Sequence, residues 1–75
     1  MEKGRLRWHC RRGLLELDVI FERFLKRDFD SLTPAQSAQL ANLVMEDDYE
    51  VWNMITGRKE YPAQYEAILP LLQKV

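Results

Sequence analysis

Cysteine, histidine and glycine are all scarce in this chain, and each shortage removes a class of protein. A single cysteine, Cys10, in 75 residues excludes an internal disulfide and fits a reducing compartment. His9, the one histidine, stands next to Cys10, and neighbours on a helix do not face the same point. A closed zinc site of four such ligands is therefore out of reach, and no metal is expected. Nucleophilic catalysis by a Cys–His pair needs the imidazole at the sulfur and a third group to orient it, which adjacent positions rarely supply. The guanidinium groups of Arg7 and Arg11 would favour the thiolate of Cys10. Reactivity alone does not make an enzyme. The three glycines, Gly4, Gly13 and Gly57, are too far apart to form a phosphate-cradling loop. A chain this short also leaves little room for an ordinary substrate pocket, so a non-enzyme is expected.

Long apolar runs are missing as well. Nothing approaches the ~20 residues that span a bilayer, and the N-terminus lacks the apolar stretch of a secretory signal. The expectation is a cytoplasmic protein with no direct membrane insertion. With 47% hydrophobic and 31% charged residues, the composition is that of a globular domain and not of a disordered segment. At this length one domain, residues 1–75, is the only sensible count.

Net charge is −1, but the charges are segregated. Met1 to Gly13 holds five basic residues (Lys3, Arg5, Arg7, Arg11, Arg12) against one acid, Glu2, whereas Asp28 to Gly57 holds six acids and no Lys or Arg. Such polarity orients encounters with a charged partner. The sequence pI of about 5.8 lies well below that of a typical nucleic-acid binder, so no nucleic acid is expected despite arginines interleaved with Trp8. The acidic run "EDDYE" lacks the alternating ligand spacing of a calcium loop.

Helical spacing runs through nearly the whole chain. Leu6, Trp8 and Cys10 lie in a short first segment read as a helix ending at Gly13. Leu14, Leu17, Ile20, Phe21, Phe24 and Leu25 then follow three-and-four spacing, in a second helix expected to end near Arg27. In "SLTPAQ", Thr33 can cap, Pro34 suits the first helical position and Gln36 completes a capping box. That third helix turns Leu40, Leu43 and Val44 inward, with Ala38 and Ala41 allowing close packing. Asp47 or Asp48 caps a fourth helix with Val51, Trp52 and Ile55 on its apolar face and Gly57 as its stop. Pro62 opens a fifth carrying Tyr65, Ile68, Leu69, Leu72 and Val75, and Pro70 should kink it or split off its last turn. The fold class is thus all-α, a compact bundle of about five short helices.

The stretch "RRGLLELD" holds the most chemistry. Gly13 supplies a permissive or left-handed backbone to stop the first helix, and Glu16, in the first turn of the next, is placed to pair with Arg12. The same residues also suit a docking surface. A bare glycine corner lets another backbone approach, Arg11 and Arg12 offer planar forks for carboxylate or phosphate, and Trp8 is a good interface anchor.

Extended to "WHCRRGLLELD", this stretch resembles the signature of the SdhE/YgfY-like family of succinate dehydrogenase assembly factors, the FAD flavinylation factors. The family's Arg-Gly-x-x-Glu motif is matched by Arg12, Gly13 and Glu16, followed by Leu17 and Asp18 and preceded by Trp8, Cys10 and Arg11. "FDSLTPAQ" and "DYEVWNMITGRKE" are similar to later parts of the family in order and spacing. The chain differs in having Leu14 where Met is frequent, and Met54 where an aromatic sometimes stands, with Trp52 half a turn earlier. The resemblance implies a five-helix, chaperone-like factor that binds the flavoprotein subunit of succinate dehydrogenase, or of fumarate reductase. It promotes covalent attachment of FAD to a histidine of that client. No cofactor would be bound stably by the factor itself, FAD belonging to the client, and a monomer is expected. Arg12, Gly13 and Glu16 carry over as client-contacting residues, and Arg11, Trp8 and Asp18 extend them to the adjacent surface. A chain without an N-terminal extension fits a bacterial member. The alternative is a regulatory binding protein such as an antitoxin, a label bacterial members have also carried.

Overall fold

The structure, a computed structural model, describes all residues 1–75 and contains helices and no strand. Five α-helices run in order: α1 Lys3–His9, α2 Leu15–Arg27, α3 Pro34–Leu43, α4 Asp48–Thr56 and α5 Leu69–Gln73. Short 3-10 turns, Phe29–Ser31 and Ala63–Tyr65, follow α2 and precede α5. The all-α expectation of about five short helices holds.

One core of 16 buried side chains gathers residues from every helix, and no polar or charged residue is buried with them. Helix α2 supplies its centre. Leu17, Phe21 and Phe24 are fully buried at the expected spacing, with Leu14, Ile20 and Leu25 packed at the margin. Phe24 makes edge-to-face contacts with Phe21 (6.2 Å between centroids) and with Phe29 (6.4 Å), the arrangement that the ring quadrupole favours. The outer face of Phe29 receives the Arg7 guanidinium at 5.0 Å. Together with buried Leu6, this cation–π contact holds down α1, which is too short to persist alone.

Local signals act where they stand. Thr33 and Gln36 form the reciprocal capping box, with bonds of 3.1 and 2.9 Å, ahead of Pro34. Asp47 caps α4 by accepting the Tyr49 N–H at 3.0 Å, and Gly57 ends that helix at φ 80°, the one positive φ in the chain. The fifth helix expected from Pro62 does not form there: Ala63–Tyr65 is only a 3-10 turn, and the last turn is split off as α5, which begins at Leu69 with Pro70 in its first turn, where a missing N–H is tolerated. Ahead of it, Gln39 of α3 holds the chain, its Oε1 accepting the Ala67 and Ile68 N–H groups at 2.8 and 3.2 Å.

Three further expectations are corrected. Helix α1 ends at His9 rather than Gly13, and Gly13 does not adopt a left-handed backbone. Ala38 is exposed and plays no part in close packing, and Trp52 is only half-buried while Met54 takes a core position.

Candidate functional site

The segment between α1 and α2 turns back on itself through an arginine that faces inward. The side chain of Arg12 is 9% exposed. Its Nε donates to Asp48 Oδ1 at 2.7 Å, its Nη1 to the carbonyls of Val44 (2.6 Å) and His9 (3.2 Å), and its Nη2 to the carbonyl of Glu46 (2.6 Å). The Val44 and Glu46 carbonyls lie just past the end of α3, where no helical partner remains for them. A planar guanidinium can satisfy several such acceptors at once, which an ammonium cannot do with the same geometry.

The backbone on either side of Arg12 is held equally firmly. Asp18, in the first turn of α2, accepts the Arg12 N–H at 2.5 Å, and Asp48 Oδ2 accepts the Gly13 N–H at 3.3 Å. Asp48 thus grips the corner twice from a position 35 residues along the chain. From the far side, the Tyr65 hydroxyl donates to Glu46 Oε2 at 2.7 Å, so the α3–α4 junction is pinned between two partners.

This arrangement corrects the expected Arg12–Glu16 pair. Arg12 is bonded to Asp48, and Glu16 is exposed with no partner in its own chain. Of the six residues singled out from sequence, Trp8, Arg11, Gly13 and Glu16 lie open on the surface, whereas Arg12 and Asp18 turn inward. Arg12 therefore does not offer its fork outward. Trp8 is 66% exposed, with the Arg11 guanidinium 5.6 Å from its ring centroid. At Gly13 an added Cβ would meet only Asp48 Oδ2, at 3.6 Å, an ordinary contact. Neither backbone angle nor packing within this chain demands glycine there. Asp48 was missed as a corner residue because its one legible role, helix capping, is already filled by Asp47.

Beside the corner runs a groove of about 410 Å³ lined by Cys10, Arg11, Arg12, Asp18, Glu22 and Leu25. Its volume falls in the range of small-molecule sites, larger than the chain length suggested, but four of its six lining residues are charged. Cys10 is not the activated thiol that its arginine neighbours promised. It is buried, and loss of water pushes its pKa from 9.0 to about 11, with the charges of Arg12 and Arg7 pulling only weakly the other way. Burial and the Glu46 hydrogen bond push the Tyr65 hydroxyl up likewise, to about 12. No three His, Cys, Asp or Glu side chains converge as metal ligands would.

Both raised groups hold their protons more tightly in the folded chain than in the unfolded one. Their stabilising contribution is complete below the unfolded pKa and is lost as pH rises through the folded value. The urea midpoint is expected to be flat below about pH 9 and to fall between pH 9 and about 12, first through Cys10 and then through Tyr65. Cys10 should resist a disulfide reagent at pH 8 in the native chain and react at once in urea. Rapid labelling of the native protein at pH 8 would contradict this placement.

By fold and corner, the class is a small five-helix domain with an open glycine floor stapled from beneath by an inward arginine. Residues 4–75 match the family described as "Flavinator of succinate dehydrogenase", and the chain belongs to that family. It is 42% identical over 59 residues to the "FAD assembly factor SdhE" of Idiomarina loihiensis, covering 79% of this chain and 66% of the relative. It is also 42% identical over 64 residues to the same-named protein of Photobacterium profundum (83% and 73% of the two chains). With that of Legionella pneumophila strain Lens it shares 39% over 59 residues (79% and 75%). No solved structure matches it. The antitoxin alternative finds no counterpart in the names of these relatives.

No helix is long and apolar enough to cross a membrane.

Proposed function

We propose that this protein is a chaperone-like assembly factor that binds the flavoprotein subunit of succinate dehydrogenase, or of fumarate reductase, and promotes covalent attachment of FAD to that client. It acts as a monomer in the cytoplasm, performs no catalysis of its own and binds no cofactor stably. The observation that carries the reading is the pairing of family membership with a glycine that nothing inside the chain requires. An exposed glycine without a structural reason is well explained by a partner that presses on it.

Gly13 is the floor of the client contact, Glu16 supplies a carboxylate acceptor and Arg11 a guanidinium beside the Trp8 ring. Arg12 and Asp18 contribute by holding the corner in shape. The client's own flavin chemistry forms the bond, and the factor stabilises the arrangement of the client in which it forms.

Reconstitution tests the reading. The apo flavoprotein subunit incubated with FAD should acquire covalent flavin, seen as fluorescence of the denatured subunit, much faster with this protein than without it. Equal rates with and without the protein would refute the assignment.

A further inference from the structure

Helix α1 turns Leu6 into the core, with Cys10 just beyond its end, so its opposite side faces solvent. Trp8 stands out there at 66% exposure. Arg5, three residues before Trp8, shares that side of the helix. Arg7 and Arg11 line one depression of about 330 Å³ with Trp8, Gly4 and Leu25, and the Arg11 guanidinium lies 5.6 Å from the indole ring. None of these three arginines is in an ion pair. Arg7 sits over the Phe29 ring at 5.0 Å, a contact that leaves its charge unneutralised. The acids of the neighbouring elements are held by lysines instead, Asp30 by Lys3 at 3.7 Å and Glu22 by Lys26 at 3.4 Å. Helix α1 itself contains no acid, and Glu2 stands just ahead of it.

We propose that this face docks on an anionic phospholipid surface, with Trp8 in the headgroup layer and Arg5, Arg7 and Arg11 on the phosphates. The one large apolar group of the face is an indole, a ring with a polar N–H that settles between headgroups and hydrocarbon. A protein partner needs a contact of about 800 Å² with a broad apolar centre, which one ring does not provide. A lipid surface needs less. It presents phosphates throughout its plane, so guanidinium groups without a carboxylate find partners wherever they fall. Gly4 assists, lying one turn before Trp8 on the same side. A Cβ there would meet Glu2 Oε1 at 3.2 Å, the far end of a flexible side chain, and its absence leaves the indole standing clear. The docking is peripheral, through one ring and three charges on a helix of seven residues. It does not rest on the functional reading above. Trp8 and Arg11 also border the client contact proposed there, so the test leaves the client out.

The purified full-length chain is sedimented with vesicles of phosphatidylglycerol and phosphatidylcholine in equal parts, and with vesicles of phosphatidylcholine alone. Binding is expected to the first and not to the second, with a blue shift of tryptophan emission that Trp8→Ala abolishes. Salt of about 0.5 M should release most of the protein as the Debye length shrinks. Affinity should fall about tenfold for Trp8→Ala and about fivefold for Arg5→Gln or Arg7→Gln. Arg58→Gln, which removes the same charge after α4, should bind like the parent chain. Arg5 has no partner inside the chain, so Arg5→Gln carries the test if loss of the Phe29 contact lowers the thermal midpoint of Arg7→Gln. Absence of binding to the anionic vesicles at low salt would overturn the proposal. So would an Arg58→Gln as weak as Arg5→Gln, which would reduce the effect to net charge, or a Trp8→Ala that binds like the parent. Retention of a single-stranded oligonucleotide as tight as that of the vesicles, and weakened by the same changes, would make the face a general polyanion site and overturn it too.

Discussion

Gly13→Arg is expected to leave the domain folded and to reduce covalent FAD on the client by about a hundredfold or more. The folding half of the prediction follows from geometry inside the chain. Gly13 is exposed, its φ is not positive, and a Cβ has ordinary clearance from Asp48 Oδ2. A longer side chain can extend into solvent, and exposed substitutions of this kind move stability by about 0.5 kcal/mol or less. The functional half follows from what a partner would meet. A guanidinium in place of a flat floor holds the two surfaces apart and breaks the contacts around it, and each 1.4 kcal/mol lost is about tenfold in affinity. Gly13→Ala should be milder, raising the floor by one methyl group. Thermal unfolding and fluorescence of the denatured client separate the two halves. An unfolded Gly13→Arg would show that the chain itself needs the glycine, and an unfolded-free but fully active variant would remove Gly13 from the interface.

How much of this was readable beforehand depends on the distance over which each signal acts. The capping box at Thr33, the stop at Gly57 and the break at Pro70 are set by residues a few positions apart, and all three stand in the structure. The buried stripe of α2 was equally legible, because three-and-four spacing is a property of one helix. The partner of Arg12 was not. Charge spacing favours Glu16, four residues on, but the helix begins only at Leu15, so Arg12 lies outside it and the helical i,i+4 geometry does not apply. Asp48 wins instead because folding brings the α3–α4 junction under the corner, where two free carbonyls add to the attraction of one carboxylate. Cys10 failed for the same kind of reason. Its neighbours in sequence are cationic, but folding buries the thiol, and desolvation outweighs the charges of Arg12 and Arg7. Gly13 was singled out on a partly mistaken ground. It was expected to end a helix, and α1 ends at His9 with no such duty left for the glycine.

Arg12→Ala is expected to be the most destabilising single change in the chain, and its effect on the client should follow from unfolding. Truncation removes four hydrogen bonds from a side chain only 9% exposed. The Val44 and Glu46 carbonyls lose their donors, and Asp48 loses its cation. Breaking a pair of this kind from one side costs roughly 3–5 kcal/mol. At ~0.05–0.15 kcal/mol per residue, that is a large part of what a chain of 75 residues has in total. The thermal midpoint should fall by roughly 15–30 °C. Arg12→Lys should lie between, since an ammonium can meet Asp48 but cannot span the carbonyls in one plane. Combining Arg12→Ala with Asp48→Asn should cost less than the two single losses added together, because the pair acts as a unit. Urea unfolding of the four proteins measures this directly. Flavinylation of the client by Arg12→Ala should track its folded fraction and recover on cooling toward the temperature at which it refolds. A variant that melts like the parent chain yet fails on the client would mean that the guanidinium reaches the partner after all, and the inward clamp would have to be abandoned as the reason this arginine precedes the glycine.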